Sequence, residues 1–261
     1  MNNVNQTLYI PLYGKTYVSQ KGIILNDPMA ERIWNSVDIP LKSKSRSKWL
    51  AYYMGMRSAV FDRWTCARIL EDPGAVVIHL GCGLDSRCLR IAENPRIWYD
   101  VDFPEVIEER KKYYHEDSSY RMIGFDVRDP ALWDSISCEK SVVVIMEGIS
   151  MYMKPVEVEE LFQRISERFE HVVLLMDCYS IFAAKASKYK NPINDVGVTE
   201  VYGLDDPRIL TGKTGLSFVR EHDMTPPDLI ERLAGMEKTV FKKLYAGNTA
   251  RKMYHLYEYV K

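Results

Sequence analysis

Four short apolar runs, none longer than six residues, govern what this 261-residue chain can fold into. They are Ala75–Leu80 (AVVIHL), Arg96–Val101 (RIWYDV), Val142–Met146 (VVVIM) and His171–Met176 (HVVLLM). Runs of this length, rich in β-branched residues, suit parallel strands covered on both faces. Tyr120–Phe125 is a weaker fifth candidate, and Leu216–His222 and Met253–Val260 supply the last two. Helical patterns lie between them. Leu84–Ala92 follows the first run, and Pro104–His115 follows the second with its proline in the first turn. Pro155 opens a segment that sets Val158, Leu161, Phe162, Ile165 and Phe169 at helical spacing, and a further helix is predicted near Pro227–Leu244. Alternation of this kind predicts right-handed βαβ units and a doubly wound, seven-stranded, mostly parallel α/β sheet.

The ends depart from that pattern. Residues 1–70 read as an N-terminal helical cap, in which Trp49, Tyr52, Tyr53, Met56, Val60 and Trp64 form an apolar face suited to packing. The stretch 178–215, with Lys185, Lys188, Lys190 and Asn191-Pro192, reads as an insertion between strands and a lid over a site. No repeat or low-complexity segment interrupts the chain, so 1–261 is expected to be one domain.

Composition narrows the partners. Lys plus Arg number 35 against 36 acids, a balance that argues against nucleic acid. The five cysteines form no CxxC pair, which fits reduced thiols. The histidines show no ligand-like spacing, so no metal is expected. The polar N-terminus lacks a signal-peptide pattern, and no apolar run approaches the roughly 20 residues of a membrane helix. A soluble cytoplasmic protein is the expectation.

Chemistry should collect at the carboxyl ends of the strands. The first runs into Gly81-Cys82-Gly83-Leu84-Asp85, whose glycines allow a tight turn and a close approach of backbone to ligand. A turn of this kind is by itself equally compatible with plain structure. The second ends in Asp100-Val101-Asp102, about 20 residues on, where an acid can accept from both hydroxyls of a ribose. That pairing fits NAD and S-adenosylmethionine. A dinucleotide site wants a third glycine where this chain has Ser86, and Asp85 would repel a pyrophosphate, so the balance moves to the methyl donor. Asp126 is set to accept from an adenine amino group, although taken alone it reads more readily as a helix cap before Pro130. Glu147 ends a wholly apolar strand, a costly place for an acid without a ligand or a cation.

These landmarks resemble the leucine carboxyl methyltransferase family, with its TcmP-like polyketide O-methyltransferases. They read YIPLYGK (Tyr9–Lys15), Asn26-Asp27-Pro28, Arg57 in MRSAVFD, HLGCGLDSR, WYDVDFPEV, GFDVRD and EGISMYM. Cys82 stands where the family often has alanine, and Ser19-Gln20 where Glu-Ser is commoner. The resemblance implies that Lys15 and Arg57 hold the methionine carboxylate of S-adenosylmethionine. Gly81 and Gly83 would line the cofactor, Asp102 would bind its ribose, Asp126 and Val127 would flank the adenine, and Glu147 would sit beside it. The implied reaction is O-methylation of a carboxyl or hydroxyl group of a small molecule. A carboxylate acceptor is already ionised at neutral pH, so no catalytic base is named, and Tyr152 is the candidate for orienting the acceptor. Methylation of a protein's C-terminal carboxylate and NAD-dependent oxidation are the alternatives. The oligomeric state is left open.

Overall fold

The computed structural model describes the backbone of residues 7–38, 41, 44–137, 139–190 and 200–261, and the side chains of all of these except 188–190. Seven strands make one sheet: β1 (Val76–Leu80), β2 (Trp98–Asp102), β3 (Tyr120–Gly124), β4 (Ser141–Met146), β5 (His171–Tyr179), β6 (Ser217–Glu221) and β7 (Tyr254–Val260). Their order is β3-β2-β1-β4-β5-β7-β6. The first five are parallel, while β7 runs antiparallel between β5 and β6. The winding therefore reverses between β1 and β4, and that switch opens a crevice beyond the strands' carboxyl ends.

The continuous apolar runs are explained by a core on each side of the sheet. Val77, Val143, Ile145 and Leu175 face one layer, together with Tyr52, Met56, Phe61 and Trp64. Val76, Ile78, Val142, Val144 and Leu174 face the other, against Leu161, Phe162 and Ile165. Truncating a residue such as the fully buried Phe162 to alanine would cost about 3–5 kcal/mol.

The first layer is built by the N-terminal helices α1 (Tyr9–Gln20), α2 (Pro28–Ser36) and α3 (Lys48–Glu71). Asp27 starts α2 by accepting the Ala30 N–H at 2.9 Å, with Pro28 in its first turn. The stripe predicted on α3 packs as expected at Tyr52, Met56, Val60 and Trp64, all buried. Tyr53 differs, because it lines the crevice as well.

Three helices depart from expectation. The predicted Leu84–Ala92 helix shrinks to α4 (Arg87–Arg90). Asp85 spends its carboxylate on the Arg87 N–H (2.8 Å), and the chain turns extended at Ile91, four residues before Pro95. The predicted Pro104–His115 helix ends early as α5 (Pro104–Arg110). The predicted Pro227–Leu244 helix divides into α8 (Pro227–Ile230) and α9 (Gly235–Leu244), because Gly235 takes a left-handed φ of 51°. The Pro155 segment forms α6 (Pro155–Arg168), and a short α10 (Asn248–Arg251) precedes β7.

Strand ends lie within two residues of the predicted ones except in β5, which continues through Asp177 and Cys178 to Tyr179. The expected lid boundary at 178 therefore falls inside a strand. Within 178–215 the chain forms α7 (Ile181–Lys190) and a 3-10 turn at Pro207–Leu210, and residues 191–199 lie outside the described residues. Among the described residues no helix is long and apolar enough to cross a membrane.

Candidate active site

The crevice at the switch point is a cavity of about 470 Å³, within the range of small-molecule and cofactor sites. Gly81, Gly83, Asp102, Asp126, Val127, Glu147 and Tyr152 line it from the strand ends, and Lys15 and Arg57 line it from α1 and α3. All nine residues singled out in the sequence thus meet at one cavity.

The turns that shape it are specified locally. Gly81 has φ 69°, and a Cβ there would lie 1.9 Å from Ile149 Cγ2, so no side chain fits. Gly83 N–H donates to Asp102 Oδ2 at 2.7 Å, which ties the turn after β1 to the end of β2. Phe103 N–H donates to Asp102 Oδ1 at 2.8 Å. Those two donors and the Arg110 charge do not offset burial, which lifts the Asp102 carboxyl to about 6. Each carboxylate oxygen keeps accepting capacity for further donors.

At the opposite side lies a buried ion network. Lys15 Nζ donates to Asp85 Oδ2 at 2.6 Å. Glu147 Oε1 accepts from Arg57 Nε and from Ser58 Oγ, both at 3.0 Å, and Oε2 accepts from Arg87. Burial alone would raise the Glu147 carboxyl, but Arg87 and Arg57 bring it down to about 2. Burial likewise acts upward on Asp85, and Arg90, Lys15 and Arg87 together hold it well below the usual carboxylate range. Each acid here is compensated by cations, the condition under which buried charges are tolerated.

Some of the sequence-derived residues have partners of their own. Asp126 Oδ2 accepts from Arg128 at 2.6 Å, and Asp126 does not cap the turn at Pro130; Asp129 does, accepting the Ala131 N–H at 2.9 Å. Ser19 accepts the Asp27 N–H at 2.8 Å and contacts Glu31, so it belongs to the α1–α2 junction. Glu147 bridges two arginines as well as lining the cavity.

Sequence reasoning missed Asp177, Arg87, Arg90 and Tyr254. Asp177 is fully buried and accepts from Arg57 Nη1 at 3.0 Å. Its signal was the one already used for Glu147, an acid directly after an apolar strand run. Tyr254, from the last strand, also lines the cavity and donates to Asp177 at 2.7 Å. The remaining lining is largely apolar: Leu8, Ile10, Pro11, Met54, Ile149 and Met151.

Comparison with known proteins identifies the family and the fold. The model of the leucine carboxyl methyltransferase family matches residues 14–166, more than half of the chain. The chain is 28% identical over 243 residues to the tetracenomycin polyketide synthesis O-methyltransferase TcmP of Streptomyces glaucescens, covering 92% of this chain and 90% of that protein. It is 27% identical to the S-adenosyl-L-methionine-dependent methyltransferase dpfgK of Gibberella zeae, covering 84% and 81%. Two solved structures share the fold. A putative methyltransferase from Thermobifida fusca superposes with a TM-score of 0.54 at 14% identity, covering 95% of this chain and 94% of that one. Magnesium protoporphyrin IX methyltransferase from Synechocystis PCC 6803 does so with a TM-score of 0.52 at 12% identity, covering 89% and 92%. The chain belongs to the leucine carboxyl methyltransferase family and is an S-adenosylmethionine-dependent O-methyltransferase.

Proposed function

We propose that the acceptor is a small, largely apolar molecule, methylated on a carboxyl or hydroxyl oxygen inside the switch-point cavity. The observation that carries this reading is the division of the lining between a polar half and an apolar wall. On the polar side, Arg57 Nη2 bonds to no described residue, and Lys15 Nζ spends a single hydrogen bond on Asp85. These are the N–H groups in our reading for the cofactor's carboxylate. Asp102, with its spare accepting capacity, receives the ribose hydroxyls, and Phe103, Val106, Phe125 and Val127 with Asp126 border the adenine. The donors, acceptors and apolar surface fit S-adenosylmethionine. When bound, it supplies an electrophilic methyl group on a sulfonium.

The protein's share of the catalysis is placement. Leu8, Ile10, Met54, Ile149 and Met151 exclude water, and Tyr152 with Tyr179, the last residue of β5, borders the acceptor. Proximity and orientation supply several kcal/mol to such a transfer. TcmP is named for polyketide synthesis, which supports a small-molecule acceptor here. The test is transfer of a labelled methyl group to a panel of aromatic acids and phenols beside a peptide ending in leucine. Labelling of the small molecules is expected. Labelling of the peptide alone would assign a protein carboxylate as the acceptor.

A further inference from the structure

One fully buried acid has no part in the reading above. Asp177 lies within β5, two residues before its end, and Met146 pairs with Met176 across β4 and β5, so Glu147, just past β4, and Asp177 stand side by side. Asp177 Oδ1 accepts the Gly148 N–H at 2.7 Å. Oδ2 accepts from the Tyr254 hydroxyl at 2.7 Å and from Arg57 Nη1 at 3.0 Å, and the Asp177 carbonyl accepts from the Ser150 hydroxyl. Arg57 Nη1 also donates to Tyr254 Oη at 3.1 Å, which closes a triangle of three buried side chains.

The geometry converges on the guanidinium. Nε is held by Glu147, Nη1 by Asp177 and Tyr254, and Nη2 has no partner among the described residues. A guanidinium is planar, so fixing two of its nitrogens fixes the direction of the third. The same carboxylate sets the turn beneath it. Gly148 has φ 76°, and a Cβ there would lie 3.3 Å from Arg57, so the turn and the guanidinium are in contact. Placing two buried acids side by side on adjacent strands is a poor way to gain stability. It is a good way to aim a cation.

We propose that Asp177, assisted by Tyr254, is a positioning residue that aims Arg57 Nη2 and fixes the Glu147-Gly148 turn for the amino-acid end of the cofactor. This rests on the role given above to Arg57. Neither residue touches the transferred methyl group in this proposal, and each acts through the guanidinium and the turn.

The test is calorimetric titration of the full chain with two ligands, S-adenosylhomocysteine and methylthioadenosine, the second of which lacks the amino-acid part. Asp177→Asn should weaken S-adenosylhomocysteine about ten- to hundredfold, the size of a lost charge-assisted contact. It should leave methylthioadenosine within about twofold. Tyr254→Phe should act in the same sense by a few-fold, keeping the ring that packs on Tyr179 at 4.8 Å between centroids. Combining Asp177→Asn with Arg57→Ala should weaken S-adenosylhomocysteine no further than Arg57→Ala does alone. Equal losses for both ligands, or none, in Asp177→Asn would overturn the proposal. If that variant does not fold, the same outcomes in Tyr254→Phe decide it. Arg57→Ala separates the two readings: if it weakens both ligands equally, the role of Arg57 itself is wrong. If it discriminates between them and Asp177→Asn does not, only the positioning role falls.

Discussion

Two aspartates on β2 stand two residues apart and lead opposite lives. Asp100 is enclosed: Arg110 and the Tyr120 hydroxyl (2.6 Å) donate to Oδ2, and Trp98 Nε1 donates to Oδ1 at 2.9 Å. Burial acts upward on its carboxyl, yet Arg110, His79 and the Tyr120 hydroxyl hold it at about 2. Asp102 lies on the same strand but is only partly buried and has only two backbone N–H partners, and it sits at about 6. The first region is closed and finished. The second is open and polarised toward a cavity, as a binding site must be before its ligand arrives. His79 stands between them, with Nδ1 3.4 Å from Asp100 Oδ1 and Nε2 3.4 Å from Arg87 Nη1, so the closed cluster and the cavity network are neighbours.

The largest effect should come from breaking the closed side. Asp100→Asn leaves Arg110 buried with a neutral partner and should cost about 3–5 kcal/mol in urea unfolding. Cofactor affinity of the molecules that remain folded should hardly change. A variant that lost affinity at unchanged stability would put Asp100 on the binding side and end the contrast.

The open side should answer the other way round. Asp102→Ala should weaken S-adenosylhomocysteine by about 2–4 kcal/mol, because it removes the proposed acceptors for two ribose hydroxyls. Its urea midpoint should stay level or rise, since burying that carboxylate disfavours the folded state above pH 6. A drop in stability comparable to that of Asp100→Asn would show Asp102 to be structural.

Acid should separate them again, by about 2 kcal/mol on the closed side. Asp100 is depressed below a free aspartate, so its contribution is complete above about pH 4 and is lost as the pH falls through about 2. Asp102 is raised, so the carboxylate proposed to accept from the ribose is present above about 6 and protonates below it. Methylthioadenosine affinity should be flat above pH 7 and fall by about tenfold per pH unit beneath 6. A flat titration down to pH 5 would exclude Asp102 as the ribose acceptor.

The smallest effect belongs to the rim. Arg128 is largely exposed and pairs with the half-exposed Asp126, so Arg128→Ala should change stability by less than about 0.5 kcal/mol. It frees the Asp126 carboxylate, and a modest gain in adenosine affinity would mark Asp126 as an adenine neighbour.

The same contrast explains what could be read from the residues alone. The strands and their helices were legible because period and composition act locally: VVVIM and HVVLLM can be little else than covered strands. Glycine turns and strand-end acids were legible for the same reason. The partners were not. Lys15 meets Asp85 across 70 positions, Arg57 meets Glu147 across 90 and Asp177 across 120, and no spacing rule encodes such pairs. The shortened α4 and the divided Pro227–Leu244 helix failed locally: an Asx turn at Asp85 and a left-handed Gly235 overrode an apolar period that looked continuous.

The antiparallel β7, threaded between β5 and β6, has a consequence for how the molecule is made. Arg57 must wait for Tyr254, 197 positions later, to close its triangle. During synthesis at about 5–20 residues per second, α3 and β4 can be assembled while β5 still has a bare hydrogen-bonding edge and Asp177 lacks its tyrosine. Contacts of such range slow folding and leave an unpaired strand exposed to other chains. The site is thus completed by the last strand to arrive, and ligand binding becomes a report that the whole sheet has closed in register.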